Sequence, residues 1–197
     1  MSVLLRQHRL NDRRQLLQLT AGTLVLGAVP ALAAANEDVP ETEANWEGPF
    51  YKAGAPLRSL LLEPGMAGTV LTLNGRVLDV HGQALKRALL DFWQCDSQGV
   101  YDQAGYRLRG RMETDEQGRF QLRTIKPVAY GLGSARRPAH LHVKVNAVGG
   151  PVITTQLYFR GDPELRADAE AKPSLVLAPQ RLGSELIARY DFVVRTG

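Results

Sequence analysis

Four histidines occur in the 197-residue chain, and two of them, His140 and His142, stand one residue apart in RRPAHLHVKV, residues 136–145. In a strand, positions i and i+2 point to one face about 7 Å apart along the chain. His140 and His142 then project together while Leu141 and Val143 face the other way. That placement can hold one metal ion; it can equally be a pair of surface imidazoles on a half-exposed strand.

The surrounding residues narrow the metal chemistry. A cupin-type site needs a nearby downstream glutamate and a later histidine, and VKVNAV supplies neither. A zinc hydratase or a copper-zinc sandwich needs further histidines, and beyond residue 35 only His81 remains, in a turn. A ferrous site of two histidines and one carboxylate stays open, with Glu113 or Asp115 as the acid, although no spacing favours it. Phenolates are the other candidates: Tyr101 in DFWQCDSQGVYD and Tyr130 in TIKPVAYGLG both sit beside turn residues. A tyrosine at a strand end serves as readily as a core or rim residue with a bonded hydroxyl.

Distant ligands of this kind need strands to bring them together. From Gly68 onward, short runs of alternating character (TVLTLNGRVLDV, RALLDFWQC, RFQLRTI, AHLHVKV, VITTQLYF and IARYDFVV) are separated by turn residues. Period two dominates, which predicts an all-β fold, an antiparallel β-sandwich with long loops. The segment DPELRADAEAKP departs from this, offering Asp162 as an N-cap, Pro163 at the first helical position and Pro173 as a stop, so one short surface helix is expected there. Phe92 and Trp93 lie on an apolar strand and read as core. No repeat or second domain is visible, and residues 48–197 are expected to form one domain.

Residues 1–35 combine Arg13-Arg14, the apolar run LLQLTAGTLVLGAVP and the small residues of ALAAAN, the pattern of an export signal. The apolar run is too short and too interrupted for a membrane anchor, and DRRQLLQ resembles a twin-arginine signal. A periplasmic or secreted location is therefore expected, with no membrane partner once the signal is removed. Residues 36–47 (NEDVPETEANWE) are acidic and aperiodic and read as a flexible leader. Removing the four arginines and one aspartate of residues 1–35 from 24 basic and 20 acidic residues leaves 20 and 19, a net charge of +1. The basic balance thus belongs to the signal, and no nucleic-acid partner is expected. The single cysteine, Cys95, has no internal disulfide partner and is expected to be buried.

The series EGPFY (47–51), DFWQCDSQGVYD (91–102), RLRGRMETDEQGRFQLRTIKPVAY (107–130), RRPAHLH (136–142) and TTQLYFRGDP (154–163) resembles the intradiol ring-cleavage dioxygenases of the catechol and protocatechuate type. The resemblance implies the β-sandwich of that family and a ferric iron, Fe(3+), bound by Tyr101, Tyr130, His140 and His142, with hydroxide as a fifth ligand. It further implies cleavage of a catechol-type diol with O2 to a cis,cis-muconate-type diacid. Two phenolates and a hydroxide would balance the three charges of Fe(III), and Tyr130 matches the tyrosinate that leaves the metal as the diol binds. Arg137 matches an arginine that stabilises negative charge on the bound ring, and Gln156 a glutamine near the iron hydroxide. Tyr51 falls where relatives place a residue at the pocket mouth; Arg136 reads as surface charge. Cys95 stands where alanine is usual, Val128 where glycine is frequent, and GLGSAR before Arg137 is shorter than in the protocatechuate enzymes. The helical dimerisation region of catechol 1,2-dioxygenases has no counterpart in this reading, which leaves homo-oligomerisation and the particular catechol unassigned. A competing reading is a non-catalytic transthyretin-like sandwich module, which would account for GRVLDVHGQALKRALLDFW but not for the tyrosine and histidine spacing.

Overall fold

The computed structural model describes residues 38–131, 133 and 136–197. The expected export signal, residues 1–35, lies outside the described residues, as does part of the GLGSAR loop. Among the described residues ten strands form two five-stranded sheets. The first contains β1 (Val70–Asp79), β4 (Arg119–Ile125), β8 (Gln180–Leu182), β9 (Glu185–Arg189) and β10 (Phe192–Val194). The second runs in the order β3 (Arg109–Glu113), β2 (Leu89–Trp93), β5 (His140–Asn146), β6 (Val152–Phe159) and β7 (Val176–Leu177).

The two sheets bury their alternating apolar residues against each other. Leu71, Leu73, Val77, Phe120 and Leu122 of the first meet Leu90, Phe92, Leu141, Val143, Val145, Leu157 and Phe159 of the second in one core. The β-sandwich expected from the sequence is therefore observed, with mixed rather than purely antiparallel sheets. β9 and β10 both run parallel to β1, and β7 runs parallel to β6. Period-two patterning reports which face a residue occupies and is blind to strand direction. The last run, IARYDFVV, splits into β9 and β10 around Tyr190, whose carbonyl packs onto Gly75 of β1. A Cβ on Gly75 would lie 1.7 Å from that oxygen, so only glycine fits.

Two further expectations are corrected. The single helix expected after Asp162 is two short 3₁₀ turns, Pro163–Arg166 and Pro173–Leu175. Asp162 does cap the first, accepting from the Glu164 N–H. Asp168 then ends any helical path, because its carboxylate accepts from the Glu170 N–H and pairs with Arg137. Pro173 opens the second turn instead of closing the first. Nor do residues 38–47 behave as a loose leader. They form an extended strap whose backbone N–H groups donate to Val80 from Val39, to Val193 from Thr42 and to Thr154 from Asn45, crossing from one sheet to the other. Their backbone hydrogen bonds do not depend on side-chain periodicity, which is why acidic, aperiodic residues can be held so.

Candidate metal centre

The second sheet's outer face carries the side chains that the core face leaves over. His140 and His142 open β5 there, both 1% exposed. In register, His142 lies between Trp93 of β2 and Gln156 of β6, and His140 lies opposite Tyr158. The His142 ring stacks on Trp93 with centroids 4.8 Å apart and planes 7° from parallel. The strap continues over this face: Gly48, at φ +73°, approaches so closely that a Cβ there would sit 3.4 Å from His142 Cε1. Burial of the histidine pair thus comes from a segment nearly a hundred residues away.

Tyr130 is delivered by a short backbone pairing with Arg137, each N–H donating to the other's carbonyl. Its Oη lies 3.4 Å from His140 Nε2, which in turn lies 3.1 Å from His142 Nε2. Tyr101 follows a turn in which Asp96 Oδ1 accepts from the Gln98 and Val100 N–H groups. Its ring stacks on Phe50 at 4.4 Å and meets Tyr130 edge-on at 5.4 Å and His142 at 6.1 Å. The Tyr101 hydroxyl is buried and has no hydrogen-bond partner among the described residues.

The protonation states follow from these contacts. His140 Nδ1 is 2.7 Å from the Pro138 carbonyl, which can only accept, so Nδ1 carries the proton and Nε2 presents a lone pair. Burial, with help from Arg137, lowers the His140 pKa to about 4, and burial followed by the neighbouring His140 pushes His142 well below the usual imidazole value. Burial raises both phenols, and for Tyr101 the adjacent Tyr130 adds to the effect. The pocket is therefore four neutral donors with an orphaned hydroxyl and closely opposed imidazole nitrogens, an arrangement that a cation relieves. Two phenols that can ionise and two neutral imidazoles suit a hard, highly charged ion such as Fe(III). The carboxylate alternative does not assemble. Among the described residues no group of three or more His, Cys, Asp or Glu side chains is placed to share a metal, and Glu113 and Asp115 pair instead with Arg87 and Arg119 at the surface.

A family model described as dioxygenase matches residues 46–196. The chain is 32% identical over 175 residues to chlorocatechol 1,2-dioxygenase of Rhodococcus opacus, covering 71% of this chain and 67% of that protein. It is 34% identical over 182 residues to 6-chlorohydroxyquinol 1,2-dioxygenase of Cupriavidus pinatubonensis, covering 81% and 65%. The chain belongs to the intradiol ring-cleavage dioxygenase family. It spans 46% of catechol 1,2-dioxygenase from Acinetobacter baylyi, so some family members are much longer. Among solved structures it resembles the dioxygenase domain of a dioxygenase carbohydrate-binding protein fusion from Streptomyces sp. SirexAA-E, with 39% identity and a TM-score of 0.75 over 80% of this chain and 100% of that one. The 3-chlorocatechol 1,2-dioxygenase of Rhodococcus opacus 1CP aligns at 31% identity and a TM-score of 0.74, over 83% and 76%. Membership of this family sets aside the transthyretin-like module.

Of the remaining residues singled out in the sequence of this intradiol family member, Arg137 and Gln156 border the four donors and Tyr51 lies one ring further out. Arg137 donates from Nε and Nη2 to Asp168 and from Nη2 to Tyr158, while its buried Nη1 has no partner among the described residues. Gln156, cross-strand from His142, donates to the Trp46 carbonyl and accepts from Tyr158. Tyr51 packs on Trp93 at 4.9 Å and donates to Asp91, so its hydroxyl points along the sheet, one ring removed from His142. Arg136 pairs with Glu164 at the surface, as expected of it. Cys95 is buried, and burial raises its pKa to about 11. Phe92 joins the sandwich core, but Trp93 belongs with Cys95, Tyr101, Phe50, Tyr51 and Tyr130 in a separate cluster around the site. Phe50, Trp46, Tyr158 and Asp168 went unmarked in the sequence; for Phe50 and Tyr158 the only signal was membership of the motifs EGPFY and TTQLYF.

Proposed function

We propose that the chain is a non-haem Fe(III)-dependent intradiol dioxygenase that cleaves a catechol-type aromatic with O2 to a cis,cis-muconate-type diacid. Both oxygen atoms enter the product, so the reaction balances without a further reductant. The observation that carries this reading is the convergence of Tyr130 Oη, His140 Nε2 and His142 Nε2 at 3.4 and 3.1 Å beside the unpartnered, buried Tyr101 Oη. Fe(III) held by Tyr101, Tyr130, His140 and His142 would supply Lewis acidity toward the two diol oxygens and draw electron density from the ring.

The protein's own groups divide the remaining tasks. Tyr101 is buried with its ring stacked on Phe50, whereas Tyr130 is only half-buried, so Tyr130 is the phenol freer to swing away and accept a diol proton at Oη. His140 is held in its ligating tautomer by the Pro138 carbonyl. Arg137, clamped by Asp168 and Tyr158, keeps Nη1 for negative charge developing on the ring. The strap around Gly48 and Phe50 excludes water from the histidine side.

The relatives named for chlorocatechol and 6-chlorohydroxyquinol support a catechol-type substrate class. The N-terminal pattern around Arg13-Arg14 supports export by the twin-arginine route. The test is metal analysis and visible spectroscopy of the purified protein, followed by turnover of catechol, protocatechuate, hydroxyquinol and chlorinated catechols under ¹⁸O₂. Tyrosinate-to-Fe(III) charge transfer should colour the protein red to burgundy, and a cleaved product should carry two labelled oxygens. A protein that stays colourless and inert after iron reconstitution would overturn the proposal.

A further inference from the structure

Resting on that functional reading, the geometry points to Tyr158 as a positioning residue that sets how both Arg137 and Gln156 address the site. Tyr158 lies on β6, fully buried, with its ring 5.7 Å from that of His140. It is the third phenol near the histidine pair, yet its oxygen is fully engaged. Arg137 Nη2 donates to it at 3.1 Å and Asn45 Nδ2 at 3.4 Å. The Asn45 amide is oriented by its own contacts, since Oδ1 accepts from the Trp46 N–H and Nδ2 donates to the Glu170 carbonyl.

With two donors on its lone pairs, the Tyr158 hydroxyl sends its proton to Gln156 Oε1 at 2.8 Å, its one acceptor among the described residues. That bond fixes the flip of the Gln156 carboxamide: Oε1 faces Tyr158, Nε2 donates to the Trp46 carbonyl, and the second Nε2–H is what remains for the His142 side. On the other flank, Tyr158 and Asp168 together occupy Nε and Nη2 of Arg137, leaving Nη1. One hydroxyl therefore orders two groups that approach from different segments, Gln156 from β6 and Arg137 from the loop before β5, without touching substrate itself. Removing it frees the amide to flip and the guanidinium to swing, while the iron ligands keep their places.

The test is Tyr158→Phe in the iron-loaded full chain, with Gln156→Ala and the double variant. The expected result is a kcat about tenfold lower, in the range typical of lost partners around a metal site, with KM changed by less than about threefold. The charge-transfer band should stay close to wild type, while the metal-free protein should melt below wild type because the buried Gln156 Oε1 loses its donor. Because Tyr158 acts in part through Gln156, adding Tyr158→Phe to Gln156→Ala should lower kcat clearly less than the product of the single effects. Asp168→Asn is an independent arm, loosening the other side of Arg137, and should also lower kcat with little change in KM; it carries the test should Tyr158→Phe not fold. An unchanged kcat in Tyr158→Phe, or single effects that simply multiply, overturns the inference. A wild-type protein that binds no iron and cleaves no diol overturns the functional reading instead.

Discussion

Tyr101 gives the sharpest test, because its hydroxyl should oppose stability without metal and favour it with metal. The group is buried, without a hydrogen-bond partner, on a ring that stacks on Phe50. Tyr101→Phe keeps the ring and deletes only the unsatisfied oxygen. An unmet buried polar group costs roughly 1–3 kcal/mol, so the metal-free variant should be more stable than wild type by about that amount. For a protein of this size about 2–4 °C accompanies each kcal/mol, which predicts a melting temperature roughly 2–12 °C higher. With iron the order should reverse or close. A hundredfold weaker hold on the ion, modest for the loss of an anionic ligand, removes about 2.7 kcal/mol of the stabilisation that saturating metal confers. Calorimetry of both proteins, after chelation and after Fe(III) loading, measures all four values. A metal-free Tyr101→Phe that melts below wild type would refute the idea of an unsatisfied hydroxyl, and equal metal-induced shifts would remove Tyr101 from the ligand set.

Arg137→Lys keeps the charge but cannot span Asp168, an interaction whose side chains are 16% and 7% exposed; it should cost roughly 1–3 kcal/mol in thermal unfolding and lower kcat far more than it alters KM. His140 is neutral when folded, with a pKa of about 4 against an unfolded 6.5. The unfolded chain then binds the extra proton between those values, so the metal-free protein should lose on the order of 3 kcal/mol as pH falls from about 6.5 to about 4, with no further loss from this group below that; denaturant melts across that window check the slope, and a flat profile contradicts it. Replacing Arg13 and Arg14 by lysine should retain the chain in the cytoplasm of a bacterial host, read by fractionation.

Legibility in the sequence follows the range of the interaction. His140 and His142 are visible because strand geometry is local: i and i+2 share a face whatever else the fold does. The sandwich is visible for the same reason, and its parallel pairings are not, since they depend on where β9 and β10 return rather than on which face they present. Trp93 was read as core and is buried, yet its ring also lies against His142, which LLDFW, apolar apart from Asp91, could not show. Buried strands look alike in sequence whether their second face meets a core or a site. Tyr101 and Tyr130 could be joined to the histidines only through family likeness, because no local rule ties a loop phenol to a strand imidazole. Tyr51 was placed by the same likeness at the pocket mouth; its ring packs on Trp93 and its hydroxyl donates to Asp91.

The strap was hardest to read, and it binds the parts of the site together. Its hold on the sandwich combines three backbone N–H donors with side-chain links such as Glu41 to Arg195, Glu43 to Lys172 and Thr42 Oγ1 to the Val193 N–H. Its hold on the site is the Trp46 carbonyl on Gln156, the Asn45 amide on Tyr158, Gly48 against His142 and Phe50 against Tyr101. None of these contacts needs a residue type that announces chemistry. Together they dry the histidine pair and fix the amide and phenol that border it, while the ligands come from β5 and two loops. The donor set thus depends on residue identity, and its order depends on a segment whose sequence looks like a linker. Substitutions in the strap should therefore alter turnover more than iron content, whereas substitutions among Tyr101, Tyr130, His140 and His142 should alter iron content first.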